Sequence, residues 1–383
     1  MYSLPAAHSS SSHPECVEEA RWTNHDEDLE RHRGAHNFRH LVKSSFNLPL
    51  NSDVLYFLAR GSLSRGSIKI TDDGNNGDDK VVVGVSFLYM HDVAPEKIQV
   101  CRLQRDGSKN GVGIFSPNSL PPHHHDDEYR SQFSVVVHLP NGAGNPHLYG
   151  AFDTDMPMFA HYLGDLDPSV AFCSIDLKTV NAPIHVQSLT IEDGSLKTSN
   201  SPIEGKITAF RHLELHTSNG PLKTDITLSN RNGANATSLV LSTQNSLIQS
   251  SISLISLTET STGGSFDIAA TTSNSPIDVV YPTIPVNSTL KFDGRSSNSP
   301  VRATLHTGYE GSFALATSMW NKPAIHFDRS AEDPSGAGRR RALETISLGY
   351  GAHNGHVYWG SGARKNAGSV QLSTFNADVQ LIL

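Results

Sequence analysis

Seven asparagines punctuate this 383-residue chain from residue 181 onward, and most of them open the same phrase. They are Asn181, Asn200, Asn219, Asn245, Asn274, Asn298 and Asn376, spaced by 19, 19, 26, 29, 24 and 78 residues. Five are followed by a small residue, then a proline (Pro183, Pro202, Pro221, Pro276, Pro300), then Ile, Leu or Val. Self-similarity of this kind is the mark of a stacked repeat, in which each unit buries its apolar face only against its neighbours.

The text between the asparagines alternates. In "LELHTSN", Leu213, Leu215 and Thr217 share one face, while Glu214 and His216 share the other. Leu222, Thr224, Ile226 and Leu228 repeat the pattern in "LKTDITL". Period two means half-buried strand. Asparagine tolerates the left-handed region and proline fixes φ, so each phrase reads as a corner between strands, with the next apolar residue entering the interior. Proline donates no ladder hydrogen bond and belongs at such a corner. If the coils stack in register, the asparagine amides would form a ladder of their own. The longer spacings predict loops inserted at "SNRNGANATS", "TETSTGG" and "YPTIPVNST".

The expected fold is therefore all-β: a β-solenoid or β-roll-like stack of short strands, with antiparallel strands and a disordered tail at its N-terminal side. Three regions are expected. Residues 1–50 are an acidic, His-containing tail, too poor in apolar residues to bury a core and with room for one short helix. Residues 51–166 hold strands such as "GSIKIT", "KVVVGVSFLYM", "KIQVCRL" and "QFSVVVHLP", with "MFAHYLG" as a short helix. Residues 167–383 hold the repeats, and residues 340–383 cover the last coil, the closing "GSVQLSTFNADVQLIL" finishing the sheet.

Composition narrows the partners. Net charge is −8, which argues against nucleic acid. Cys16, Cys101 and Cys173 are few and scattered, so a disulfide framework is not expected, and Cys101 and Cys173 read as buried small hydrophobes. The opening residues lack the pattern of a secretory signal, and no window is apolar enough for a membrane span. An intracellular protein is the expectation, although sequons stand at Asn235 and Asn287.

The phrases "LKTSNSPI", "LHTSNGPL", "ARGSLSRGSIKI", "GYEGSFALATS" and "GSVQLSTFNADVQLIL" resemble the fungal branch of an adhesin-like β-repeat family whose domain is of unknown function. The likeness covers roughly residues 52–383. It implies a β-solenoid and supplies no catalytic residues.

Candidate sites are sparse. His123, His124, His125 and Asp126 are a weak metal candidate, since adjacent side chains on an extended chain point apart. His32, His36 and His40 would share a helix face, but Gly34 interrupts it. Asp72, Asp73, Asn75, Asp78 and Asp79 match a calcium loop only in composition. Arg339–Arg341 would contact an anion, yet an acidic stretch precedes them. No nucleophile elbow, P-loop or His-Glu-x-x-His occurs. A glycosidase would hold paired carboxylates, such as Asp267 and Asp278 in neighbouring coils, which leave no sequence signature; aromatic residues, expected in a sugar-binding groove, are few in the repeats. The expected function is a non-enzymatic interaction scaffold with no cofactor and an unidentified protein or glycan partner. A carbohydrate-binding or carbohydrate-cleaving solenoid, and a surface adhesin exported by an unconventional route, are the alternatives.

Overall fold

The computed structural model describes residues 15–31, 38–74, 79–90, 98–118, 130–141, 146–231, 235–318, 320–349 and 351–383. Among them are 27 strands and one 3-10 turn, Asp26–Arg31, so the all-β expectation holds.

Two ladders of parallel strands face each other. The first runs through Gly66–Gly74, Phe159–Asp165, the first half of Ile184–Lys197, the first half of Ile203–His216, Leu222–Asn230, Ile248–Ser256, Ile277–Val280, Val301–Thr304, Val379–Ile382 and Ala324–His326. The second runs through Val54–Arg60, His147–Asp155, Val170–Lys178, the second halves of the same two long strands, Thr237–Ser242, Ser265–Thr271, Thr289–Arg295, Gly368–Ser373 and Gly311–Ala316. Both ladders cross residue 166 without a break, where composition suggests a boundary.

The 19-residue spacing is the shortest circuit. A 14-residue strand such as Ile184–Lys197 bends from the first sheet into the second at register shifts, and five corner residues bring the chain back. Longer circuits break the strand at the edge opposite the asparagines, after Asn230, Ser256 and Val280. Ile184, Ile203, Leu222, Ile248, Ile277, Val301 and Val379 form one fully buried row, facing the second sheet's Leu196, Leu215, Leu241 and Leu372 in a single core. Each such side chain contributes about 1.5–3 kcal/mol by leaving water.

Several expectations are corrected. Residues 159–165 are a strand, not a helix: Phe159, His161 and Leu163 are buried while Tyr162 is exposed, a period of two. Part of the supposed tail is structured. His40–Pro49 is a ten-residue strand burying Leu41, Val42, Phe46 and Leu48. Cys16–Glu19 pairs with the second sheet's terminal strand Gln99–Arg105, and Thr23–Asn24 with the first sheet's terminal strand His40–Pro49. This N-terminal strap covers both sheet edges, and Trp22 packs on the core beside Phe87, 6.2 Å between ring centroids. A Cys16–Cys101 disulfide fastens it, with Cα atoms 5.7 Å apart, so Cys101 is not a free core residue; Cys173 is the free cysteine, half-buried. The remaining tail residues, 1–14 and 32–37, lie outside the described residues.

The C-terminal cover is also arranged differently. Gly368–Ser373 and Val379–Ile382 are not outermost but are inserted between earlier strands. The chain leaves after Val301–Thr304 and lays down Gly311–Ala316, Ala324–His326 and the antiparallel pair Arg341–Ser347 and Ala352–Trp359. It then returns to fill the gap beneath them. That detour is the 78-residue spacing.

Candidate functional site

The seven asparagines stand in one file along an edge of the column. Each Nδ2 donates to the Oδ1 of the asparagine one coil earlier, at 2.6–2.8 Å, from Asn200 to Asn181 up to Asn376 to Asn298. The file begins on Met158, whose Sδ accepts from Asn181 at 3.5 Å. Pro183, Pro202, Pro221, Pro276 and Pro300 follow at the corners. Four of their carbonyls accept from the first strand N–H of the preceding coil, as in Ile203 N–H to Pro221 O at 3.1 Å, and Pro183 O accepts from the His161 N–H.

The left-handed corner is not observed: none of the seven has positive φ, and among the described residues the non-glycines that do are Asp106, Ser261 and Asn287. The bend is held instead by a second, buried file that the sequence reading passed over. Two residues before each asparagine stands Thr179, Thr198, Thr217, Thr243, Thr272, Ser296 or Thr374, each no more than 7% exposed. Their hydroxyls donate to corner carbonyls of the preceding coil, as Thr198 does to Val180 and Ala182 at 3.2 and 3.1 Å. The signal was present as the repeated Thr or Ser ahead of the asparagine. This edge is satisfied internally and reads as structure.

The other candidates scatter. His123, His124, His125 and Asp126 lie outside the described residues, as do His32, His36, Asn75 and Asp78. Among the described residues, no group of three His, Cys, Asp or Glu is placed to hold a metal. His40 bonds Asp26 at 3.2 Å, Asp72 accepts from Ser169 at 2.5 Å, and Asp73 meets His138 at 2.7 Å, so these side chains fasten neighbouring segments. The arginine run divides three ways. Arg339 grips Asp333 at 2.9 Å and holds its carboxyl well below the usual range; Arg340 is exposed; Arg341 is buried against Phe327 and Trp359. Asp267 and Asp278 are on different sheets, the former in Ser265–Thr271 and the latter in Ile277–Val280, so they are no catalytic pair.

The outer face of the first sheet carries the most site-like surface. Register there aligns Lys69, Tyr162, His185, Glu204, Lys223, Gln249 and Asp278, one per rung. Two depressions of about 390 and 450 Å³ open along this face and share Val186, Gln187 and Gly205. They therefore form one trough, and its seven rungs span about 29 Å at the usual strand spacing. Gly205 dents the floor: its φ is +136°, and a Cβ there would lie 1.8 Å from the Val186 carbonyl oxygen. Tyr162, 43% exposed, lies parallel to His185 with centroids 5.5 Å apart. Glu204 sits between His185 at 3.6 Å and Lys223 at 3.9 Å. Lys69, Lys206 and Lys223 balance Glu204, Asp225 and Asp278. Gln187, Lys206, Asp225, Gln249 and Asp278 make no side-chain hydrogen bond or ion pair among the described residues. A larger hollow of about 780 Å³ is lined by residues that include Glu18, Asp79 and His147.

No protein-family model matches this chain, and no curated protein matches it. The fungal family likeness thus has no support from a family model. Among solved structures, the chain is similar to that of a "putative cell adhesion protein" from Clostridium sporogenes, with 8% sequence identity and a TM-score of 0.19 over 89% of this chain and 98% of that one. At that TM-score the likeness carries no argument about function.

Proposed function

We propose that the chain is a non-catalytic binding scaffold, adhesin-like in the sense that a stiff β-column presents a recognition face. The single observation that supports this reading is the trough: Gln187, Lys206, Asp225, Gln249 and Asp278, without side-chain partners among the described residues, are set on consecutive rungs of a hydrogen-bonded sheet. Side chains on such rungs are pre-positioned, which lowers the ordering cost of binding.

The test is retention of extracellular and cell-surface material, both polysaccharide and protein fractions, on immobilised protein. Wild type is compared with Ser251→Arg, which places a bulky side chain in the trough. Retention that Ser251→Arg abolishes is the expected result. Equal retention by both proteins, or depolymerisation of a retained polymer, would sink the reading.

A second reading, action outside the reducing cytosol, is favoured by the Cys16–Cys101 disulfide, because such bonds persist in oxidising compartments. Nothing in the structure supports the intracellular expectation. No helix among the described residues is long and apolar enough to cross a membrane.

A further inference from the structure

We infer that the trough binds an uncharged polysaccharide chain laid along the column axis, with Tyr162 packing against a sugar ring. The inference rests on the binding reading above and names the ligand class.

Three observations carry it. The first is charge. Three lysines and three carboxylates interleave along the trough, leaving no field of one sign. A polyanion needs a basic stripe and an acidic peptide needs a basic pocket, and neither is present. A neutral ligand rich in hydroxyls suits a wall that offers donors and acceptors by turns, because each hydroxyl both gives and takes a hydrogen bond.

The second is the state of the backbone. Peptides that join a sheet do so at an edge, using unpaired N–H and C=O groups. Here the floor strands Ile203–His216, Leu222–Asn230 and Ile248–Ser256 are paired on both sides. The floor has no edge to extend. Recognition must come from side chains, and Gln187, Lys206, Asp225, Gln249 and Asp278 have that capacity unused.

The third is shape with an aromatic wall. The trough is a shallow channel, not a closed pocket, and its rungs are about 4.8 Å apart, on the scale of one pyranose ring. Tyr162 exposes apolar ring surface in the depression that Gly205 also lines. The C–H face of a sugar packs on such a surface while its hydroxyls reach the flanking polar groups. The repeats themselves are poor in aromatics; this one comes from the strand Phe159–Asp165, before the first repeat corner.

Affinity electrophoresis and calorimetry with soluble β-glucan, mannan and chitin oligomers test the inference, with heparin as the polyanion. At least one neutral glycan should retard wild type. Tyr162→Ala should bind about tenfold more weakly and Ser251→Arg should not bind, with thermal midpoints matching wild type. Binding to heparin alone, or equal glycan affinity in all three proteins, overturns the inference. If no glycan binds but Ser251→Arg still abolishes retention of a protein fraction, the ligand class falls and the binding reading stands. If Ser251→Arg changes no binding of any kind, both fall.

Discussion

Asn376 donates its side-chain amide to Asn298 at 2.7 Å although 78 residues separate them in the chain. The bond is equivalent to those made across 19 residues, because a coil position is defined by what it stacks on, whatever the length of chain between. The late asparagine belongs to the same file as the others, and the residues between the two build the cover above it.

Asn245→Ala should lower stability by about 1–2 kcal/mol, since it removes a bond to Asn219 at 2.8 Å and another to Asn274 at 2.7 Å. Asn181→Ala, at the end of the file, loses one such bond and should cost about half as much. Urea midpoints of the two variants give the comparison. Equal and negligible losses would mean the file contributes nothing.

Thr217→Val should cost more than its exposed neighbour, about 1–3 kcal/mol. Its hydroxyl is fully buried, donates toward Ser199 and Ser201, and accepts the Gly220 N–H at 3.0 Å. Valine fills the space but strands that N–H. A midpoint equal to wild type would remove the buried hydroxyl file from the account of the corner.

Gly205→Ala should destabilise by about 1–3 kcal/mol or more, because alanine resists positive φ and its Cβ would meet the Val186 carbonyl. Calorimetric melting reads the loss directly. An unchanged melting temperature would show that the dent in the trough floor is dispensable.

His161 makes stability depend on pH. It lies in the buried row otherwise built of isoleucine, leucine and valine, with its ring nitrogens 2.7 Å from the Thr154 hydroxyl and 3.0 Å from the Phe159 carbonyl. Burial pushes its pKa down from 6.5 to about 4. The unfolded chain therefore takes up a proton first as pH falls. This contribution is fully present above about pH 6.5 and drains away toward pH 4, by about 3 kcal/mol in all. Denaturant midpoints across that range should slope for wild type and flatten for His161→Leu; identical slopes would assign the pH dependence to other groups.

Denatured protein prepared without reductant should carry one free thiol, Cys173, and reduction should lower stability by about 2–4 kcal/mol as the 85-residue separation between Cys16 and Cys101 is released. Thiol titration checks the count. Three free thiols would exclude the bond.

Much of the fold was legible because it is written locally. Alternation places Leu213, Leu215 and Thr217 inward whatever lies beyond them, and all three are fully buried. A proline cannot donate within a strand, so Pro202 and Pro221 mark breaks before any partner is known. Phe159–Asp165 misled because seven residues of mixed character around a tyrosine fit a helical turn as well as a strand. Pairing on both sides with Gly66–Gly74 and Ile184–Lys197 decided the matter.

The sequence by itself determined the period, the inward and outward faces and the corners, since these follow from steric preferences within a few residues. Tertiary structure alone decided which distant segments share a rung. Cys16 meets Cys101 only through the pairing of Cys16–Glu19 with Gln99–Arg105. Tyr162, Glu204, Lys223 and Asp278 came into line only through the register of six parallel strands. Register is set by the fit of the whole core, because a one-residue slip turns every buried side chain toward water, and no stretch of chain short enough to read locally contains that constraint.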